Sequence, residues 1–254
     1  MIITLLALSI LPVILLMIYI DRKDKYQKEP FKCLLKAFLA GMIAIPIDLI
    51  LVNLLNMVWY SNTVFYSAFL EAGIPEETSK LLVFLIFIWR DKHFDEYMDG
   101  IVYATFIGLG FACIENIMYV FGAAEQSWAA GISTSVVRGL LSVPGHFLFG
   151  VVLGYFLSLA KFSKTKKQRL TFILSGLLLA ATCHGFFDWL LMASDALGEV
   201  YGTILSVVFL IGDFFLWKLG IKYIRRQQIN SRNQAISSLF HQSEPIDWNA
   251  GFKN

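Results

Sequence analysis

The chain reads Gly73-Ile74-Pro75-Glu76-Glu77-Thr78-Ser79-Lys80 and then continues with an unbroken apolar run from Leu81 to Trp89. The octapeptide places two adjacent carboxylates and an amine where a membrane-spanning helix is predicted to begin. Charged side chains are costly in hydrocarbon, so within membrane spans they usually face the protein interior and serve a function. We therefore locate the other polar residues by their depth relative to these three.

The composition indicates a membrane protein. Hydrophobic residues make up 57% of the chain and charged residues only 16%. About seven apolar runs are long enough to cross roughly 30 Å of hydrocarbon as helices. The prediction is an all-α fold, a polytopic transmembrane helical bundle of about seven spans in the lipid bilayer. The net charge of +2 is small, and nothing in the sequence indicates nucleic-acid binding.

The predicted spans follow one another with short connections. They cover approximately residues 2–20, 34–58, 75–89 and 100–121, a stretch of about 28 residues that ends at 161, then 170–192 and 200–219. The first lacks a small-residue cleavage site, so we interpret it as a retained anchor. Residues 61–72 are predicted to form a surface connection, and the fifth span is predicted to tilt or to kink at Pro144.

Two regions are predicted from this pattern. Residues 1–220 are predicted to form the transmembrane domain, with the functional motifs within 75–190. Residues 221–254 are polar and are predicted to form a poorly ordered tail.

The basic residues predict the orientation. Of the 21 lysines and arginines, all but Lys80 and Arg138 fall on one side when the seven spans are threaded alternately. Loops in the cytoplasm collect Lys and Arg. The sequence therefore predicts a multi-pass protein of the cell membrane with its N-terminus outside and its C-terminus in the cytoplasm.

Four polar residues from separate spans are predicted to share one depth. Glu76, Glu115, His146 and His184 lie 14 to 16 residues from the cytoplasmic ends of their spans. At a rise of about 1.5 Å per residue, each lies roughly 21–24 Å across the membrane, in its outer third. Asp188 lies one helical turn above His184 on the same face. The shared depth predicts a site between the helices.

These residues resemble the PrsW-type intramembrane proteases, which are related to the CAAX-prenyl and bacteriocin-processing (CPBP) membrane endopeptidases. The motifs that carry the resemblance are Glu76-Glu77-x-x-Lys80, Phe111-x-x-x-Glu115-Asn116, Arg138 with Pro144-x-His146, and His184-x-x-x-Asp188-Trp189. They occur in family order on successive spans. In the wider superfamily the second motif often ends in His and the fourth in Asn, where this chain has Glu115 and Asp188.

The resemblance implies an endopeptidase that hydrolyses a peptide bond of a single-span membrane protein, such as an anti-sigma factor, near the outer leaflet. Hydrolysis needs a base for water and a group that stabilises the oxyanion. We expect Glu76 or Glu77 to be the base. We expect His184, oriented by Asp188, to stabilise the oxyanion or to protonate the leaving amine.

A metal-assisted version of the site is slightly favoured. Glu115, His146 and His184 would bind Zn²⁺, and Glu76 or Glu77 would deprotonate a water. Asp188 would then be an outer carboxylate that orients a ligand. The chain has no HExxH motif, so zinc is compatible with the residue types but is not established by the sequence. Residues expected to support the site are Lys80, Asn116 and Arg138.

Structural explanations and other functions remain open at this point. Glu76 and Lys80 can form an ion pair within one helix, with the helix N-terminus favouring the carboxylates. Asn116 and His146 can serve as hydrogen-bonding contacts between helices. A proton- or metal-coupled transporter also places carboxylates and histidines in the membrane, but it predicts internal repeats, and none is evident. A non-catalytic scaffold would leave the shared depth unexplained.

Overall fold

The computed structural model describes residues 2–242, and helices dominate this part of the chain. The helices are α1 Ile2–Lys23, α2 Phe31–Val58, α3 Val64–Tyr66, a π-helix Ser67–Gly73, α4 Ile74–Phe87, α5 Tyr97–Gln126, α6 Trp128–Leu140, α7 Ser142–Lys161, α8 Lys166–Ala196 and α9 Gly198–Gln242. Six stretches are long and apolar enough to cross a membrane: α1, α2, α5, α6 with α7, α8 and α9. The prediction of a polytopic helical bundle is confirmed.

The helix at the predicted third span begins earlier than the sequence indicated, and it is not one of the six stretches that are long and apolar enough to cross a membrane. Residues 64–87 form one helical run, so the surface connection predicted for residues 61–72 is wrong from residue 64 onward. Thr63 caps the start of this run by accepting a hydrogen bond from the Tyr66 N–H at 3.2 Å. Glu76 and Glu77 consequently lie inside the helical run, and helix N-terminal stabilisation does not explain them.

The middle of this run is a π-helix. The N–H of Ile74 bonds to the carbonyl of Phe69, five residues back. Pro75 follows directly and has no N–H to donate. We attribute the widened turn to this missing donor and to packing on α8, because π-turns appear where a helix must absorb a local constraint.

The predicted fifth span is bent. Helix α6 ends at Leu140, and α7 begins at Ser142 after Leu141, whose backbone angles are φ −117° and ψ −64°. Pro144 lies in the first turn of α7, where its missing N–H leaves no helical hydrogen bond unmade. The break therefore lies three residues before the proline at which a kink was predicted.

The last helix continues far beyond the predicted seventh span. Helix α9 runs without a break across residue 220 to Gln242, so the prediction of a poorly ordered tail is wrong for residues 221–242. Residues 243–254 of that predicted tail lie outside the described residues. We call residues 221–242 of α9 the α9 extension. It packs against the bundle, since Gln227 is fully buried and donates a hydrogen bond to the carbonyl of Tyr155 at 3.0 Å.

The connections at residues 24–30, 88–96 and 162–165 lie together with the C-terminal half of α9 at one end of the bundle, which we call the basic end. Gln228 of α9 donates to the carbonyl of Lys23 at 2.6 Å. Lys161 donates to the carbonyl of Trp89 at 2.8 Å. These contacts tie α1, α4, α7 and α9 to one another at this end.

Helix α5 is the centre of the bundle and packs against α1, α2, α6, α7 and α9. Its approach to α7 is close at Gly108, where an added Cβ would lie 2.8 Å from the carbonyl oxygen of His146. That distance is too short for any residue with a Cβ unless a helix moves. Gly108 thus lets α7 bring His146 toward the bundle centre.

Candidate active site

Three helical segments bring the ionisable residues together. Helix α4 supplies Glu76, Glu77 and Lys80, α7 supplies His146, and α8 supplies His184. All five are buried, with exposed fractions between 0% and 7%. Within the hydrocarbon, such burial requires that the charges be paired with one another.

A close contact between backbones sets the distance from the α4 run to α8. A Cβ added at Gly73 would lie 2.8 Å from the carbonyl oxygen of Ala181 and from the nitrogen of Gly185. Phe69, one turn before Gly73, packs edge-on against Phe186 at 5.2 Å between ring centroids. This contact places the start of α4 directly beside His184.

Lys80 lies at the centre of the polar cluster. Its Nζ is 2.7 Å from Glu77 Oε1, 3.1 Å from Glu76 Oε2 and 3.1 Å from His146 Nδ1. The ammonium also lies 4.2 Å from the ring centroid of Phe111. One cation thus neutralises part of the charge of two buried carboxylates, which confirms the predicted Glu76–Lys80 contact.

His184 is held by carboxylates and by an aromatic ring. Its Nδ1 is 3.0 Å from Glu77 Oε1, and its Nε2 is 3.2 Å from Asp188 Oδ2 and 3.8 Å from Glu76 Oε2. Its imidazole stacks on Phe149 at 4.5 Å with an interplanar angle of 18°. The predicted contact with Asp188 is present, and the contact with Glu77 was not predicted.

His146 connects α7 to the second motif. Its Nε2 is 2.7 Å from Glu115 Oε2, and its Nδ1 is 3.9 Å from Glu76 Oε2. Arg138 Nη2 lies 2.9 Å from the same Glu115 oxygen. The carboxylate of Glu115 therefore lies between an arginine and a histidine, on the side of His146 that faces away from Glu76.

The remaining predicted residues, Asn116 and Arg138, link this site to α1. Arg138 Nε donates to Asn116 Oδ1 at 3.2 Å, and Asn116 Nδ2 donates to the carbonyl of Ser9 at 2.8 Å. The Arg138 guanidinium also lies 4.0 Å from the ring centroid of Tyr119. Arg138, predicted from the sequence to be a supporting residue, pairs with the Glu115 carboxylate.

The aromatic residues of the site were missed at the sequence level. Phe149 follows His146 by three positions, and Phe111 precedes Glu115 by four, so helical spacing places each near its polar neighbour. In a chain with 22 phenylalanines, this spacing alone does not single out either residue.

A small polar cavity adjoins the histidines. It is lined by Glu115, Arg138, His146, His184 and Asp188, among others, and has a volume of about 30 Å³. This volume and polar lining suit a water molecule. Water can therefore be held directly beside both histidines.

The residues present fit a metal ion. One donor atom from each of Glu76, Glu77, His146 and His184 lies within 4.8 Å of the others. Two imidazoles and two carboxylates form a donor set that suits zinc. Glu77 Oε2 is buried without a hydrogen-bond partner in the described part of the chain. The converging set differs from the predicted one, because Glu76 and Glu77 take the place of Glu115.

Comparison with known proteins identifies the family. A model described as the PrsW family intramembrane metalloprotease matches residues 29–213. The chain belongs to the PrsW family. The resemblance seen in the four motifs is confirmed, and the protein is a membrane-embedded protease of a metalloprotease family.

Several curated PrsW relatives match almost the whole chain. Protease PrsW of Clostridioides difficile (strain 630) is 32% identical over 235 residues, which cover 91% of this chain and 94% of the relative. Protease PrsW of Geobacillus kaustophilus (strain HTA426) is 31% identical over 92% of this chain and 96% of its own length. Protease PrsW of Bacillus subtilis (strain 168) is 32% identical over 86% and 93%, respectively. No solved structure matches the chain.

Proposed function

We propose that this PrsW-family protein cleaves a single-span membrane protein of the anti-sigma-factor type, at a peptide bond near the outer leaflet. The observation that carries this proposal is the convergence of Glu76, Glu77, His146 and His184 beside a water-sized polar cavity. The distribution of basic residues supports an N-terminus outside the cell and a C-terminus in the cytoplasm. With that orientation the site lies in the outer third of the membrane.

Glu77, His146 and His184 are the residues that would hold zinc, and Glu76 lies beside them as the remaining carboxylate. When bound, zinc supplies Lewis-acid chemistry, which polarises a carbonyl group and makes water more acidic. Glu115 and Arg138 would not bind the metal themselves, because Glu115 contacts His146 Nε2 and Arg138 contacts Glu115. The Glu115 contact at His146 Nε2 fixes the orientation of the ring, as carboxylates behind a ligating histidine commonly do.

Glu76 is the better base of the two glutamates. The Glu77 side chain is fully buried, and its Oε1 contacts both Lys80 and His184. The Glu76 side chain is 9% exposed, and Lys80 contacts only its Oε2. Each glutamate keeps one oxygen that Lys80 does not contact, but Glu77 Oε2 is fully buried, so only the free oxygen of Glu76 is placed to accept a proton from water.

His184 is held in a fixed orientation. Its Nδ1 faces the Glu77 carboxylate, and its Nε2 lies beside Asp188 at the polar cavity. Glu76 takes a proton from water as the water oxygen bonds to the scissile carbonyl carbon. Glu76 then gives that proton to the departing amine as the carbon–nitrogen bond breaks. Asp188 holds the imidazole of His184 in position.

The test uses purified protein in liposomes with a single-span peptide substrate, and mass spectrometry locates the cleaved bond. Glu76→Gln should lower the cleavage rate by about 100-fold or more, the usual contribution of a general base. The control is Glu71→Gln, because Glu71 lies on the same helical run but bonds to Asn56 and Ser67 outside the site. Wild-type activity in Glu76→Gln would refute the proposed base.

The position of the cleaved bond tests the depth of the site. Cleavage in the outer third of the substrate's span is expected from the depth of the four residues. Cleavage in the cytoplasmic half would contradict the proposed orientation. Elemental analysis of the same preparations should find zinc in wild-type protein and not in His146→Ala or His184→Ala.

A further inference from the structure

A second group of carboxylates lies at the basic end, far from the active site. Asp24 follows α1, Glu29 precedes α2, Glu96 precedes α5, and Asp99 lies in the first turn of α5. Their exposed fractions are 2%, 7%, 5% and 0%, respectively. Asp99 is 16 residues from Glu115 on the same helix, a separation of about 24 Å. None of these four carboxylates belongs to the active site.

Local structure uses only some of the oxygens in this group. Asp99 Oδ2 accepts the backbone N–H groups of Asp95 and Glu96 at 2.9 and 2.7 Å. The Glu96 side chain accepts the N–H of Asp99 in return, which completes a capping box. Glu29 accepts a hydrogen bond from the Tyr103 hydroxyl. Helix capping therefore explains the presence of Glu96 and Asp99 at the start of α5, but it uses only one carboxylate oxygen of each residue.

The other oxygens point at one another. Both oxygens of Asp24, Oε1 of Glu96 and Oδ1 of Asp99 are buried without a hydrogen-bond partner among the side chains of residues 2–239. Asp24 is the most informative of these residues, because both of its oxygens are buried, its neighbours are the Glu96 carboxyl group and the Glu29 backbone, and neither oxygen has a donor at normal hydrogen-bond geometry among the described side chains. Leaving a buried carboxylate unpaired costs several kcal/mol.

Among the side chains that the structure describes, those of residues 2–239, no lysine, arginine or histidine forms an ion pair with Asp24, Glu29, Glu96 or Asp99. The nearby Lys28 pairs with Asp21 instead, at 2.9 Å. Four buried acids with no basic partner must be neutralised by protons or by a bound cation.

The spacing of the oxygens suits a cation. One oxygen from each of Asp24, Glu96 and Asp99 lies within 4.8 Å of the other two. Calcium binds oxygens at about 2.3–2.6 Å, so two ligands of one ion are at most about 5.2 Å apart. We propose that Asp24, Glu96 and Asp99 form a binding site for a hard divalent cation, Ca²⁺ or Mg²⁺, separate from the catalytic metal.

Such an ion would join three parts of the fold. Asp24 directly follows α1, and Glu96 and Asp99 lie at the start of α5. Helix α9 contacts both places: Met98 N donates to Ser231 Oγ at 2.9 Å, and Gln228 donates to the carbonyl of Lys23 at the end of α1. Ion binding would therefore stabilise the packing of the α9 extension at the basic end.

The proposal is tested with chelator-treated protein in detergent, using Ca²⁺ and Mg²⁺ as separate probes. Equilibrium dialysis with ⁴⁵Ca²⁺ gives the stoichiometry, and the ion-induced rise in Tm gives the coupling to folding. A His146→Ala background removes binding at the active site from both readouts. We expect one saturable site and a rise in Tm with at least one ion.

Asp24→Asn and Glu96→Gln should each abolish saturable binding and the rise in Tm. Asp95→Asn is the matched control, because Asp95 adjoins Glu96 but both of its carboxylate oxygens bond to Gln27. Asp24→Asn should also be at least as stable as chelated wild-type protein, since it removes an unpaired buried charge. No saturable site with either ion, or binding that survives both substitutions, would overturn the proposal in favour of shared protons.

Discussion

Replacing Lys80 with methionine removes the only ammonium group that contacts Glu76 and Glu77 in the described structure, while nearly preserving the length of the side chain. Lys80 is 3% exposed and contacts the two carboxylates at 3.1 and 2.7 Å. Removing one partner of a buried ion pair leaves the other charge uncompensated, at a cost of about 3–5 kcal/mol. We expect Lys80→Met to lower the free energy of unfolding by this amount.

Lys161→Met is the control for this substitution. Lys161 also lies near an aromatic ring, 4.6 Å from the ring centroid of Phe94, but its hydrogen-bond acceptor is the neutral carbonyl of Trp89. Losing this hydrogen bond and the cation–π contacts with Phe94 and, at 5.8 Å, with Trp89 should cost about 1–2 kcal/mol. Unfolding in detergent micelles, titrated with denaturant and followed by tryptophan fluorescence, measures both variants.

A double variant separates charge pairing from packing. Glu77→Gln removes one of the charges that Lys80 neutralises, so Lys80→Met combined with Glu77→Gln should cost clearly less than the sum of the single variants. Equal losses in Lys80→Met and Lys161→Met, or additive losses in the double variant, would refute the conclusion that Lys80 stabilises the site through its charge.

Three further predictions follow from other parts of the structure. Gly108→Ala should push α7 away from α5 and lower cleavage activity at least tenfold, whereas Gly122→Ala, in the same helix but with open space around it, should leave activity unchanged in the same assay. Glu115→Gln should still bind zinc, about 10- to 100-fold more weakly, in metal-competition titrations, and complete loss of zinc would make Glu115 a ligand. Burial opposes ionisation of Asp91, but hydrogen bonds, first among them that from Lys36, lower its pKa to about 2 from 3.8. Stability from this pair is therefore full above about pH 4 and is lost as the pH falls toward 2, so the Tm difference between wild type and Asp91→Asn should shrink over that range.

The bundle and the meeting of its polar residues could be predicted because both depend on position along helices. The rise per residue is nearly constant, so counting from the loops placed Glu76, Glu115, His146 and His184 at one depth. Counting does not give rotation about each helix axis. The sequence therefore could not tell that Glu76 and Glu77 both offer an oxygen to one donor set with the two histidines, while Glu115 contacts the other side of His146.

Two errors have a common physical cause, which is packing between distant segments. The π-helix at Ser67–Gly73 lies against α8, with Phe69 beside Phe186, and no local propensity predicts that contact. The α9 extension has the composition of a disordered tail, but Gln227 and Ser231 are buried by partners at the basic end. Neither set of contacts can be predicted from the residue pattern of one sequence, because the contacting residues are far apart along the chain.

The π-helix before Glu76 also affects how the chain tolerates changes in length. A π-turn closes its hydrogen bond one residue later than an α-turn, so Ser67–Gly73 holds a surplus residue compared with an ordinary helix. Deleting one residue there lets the segment relax to α-helical hydrogen bonding, and Glu76 and Glu77 keep facing α7 and α8. The same deletion within α4 between Glu77 and Lys80 would rotate the amine by about 100° relative to both carboxylates. The π-helix before Glu76 and Glu77 is thus a place where this helical run can lose a residue while both carboxylates keep their direction.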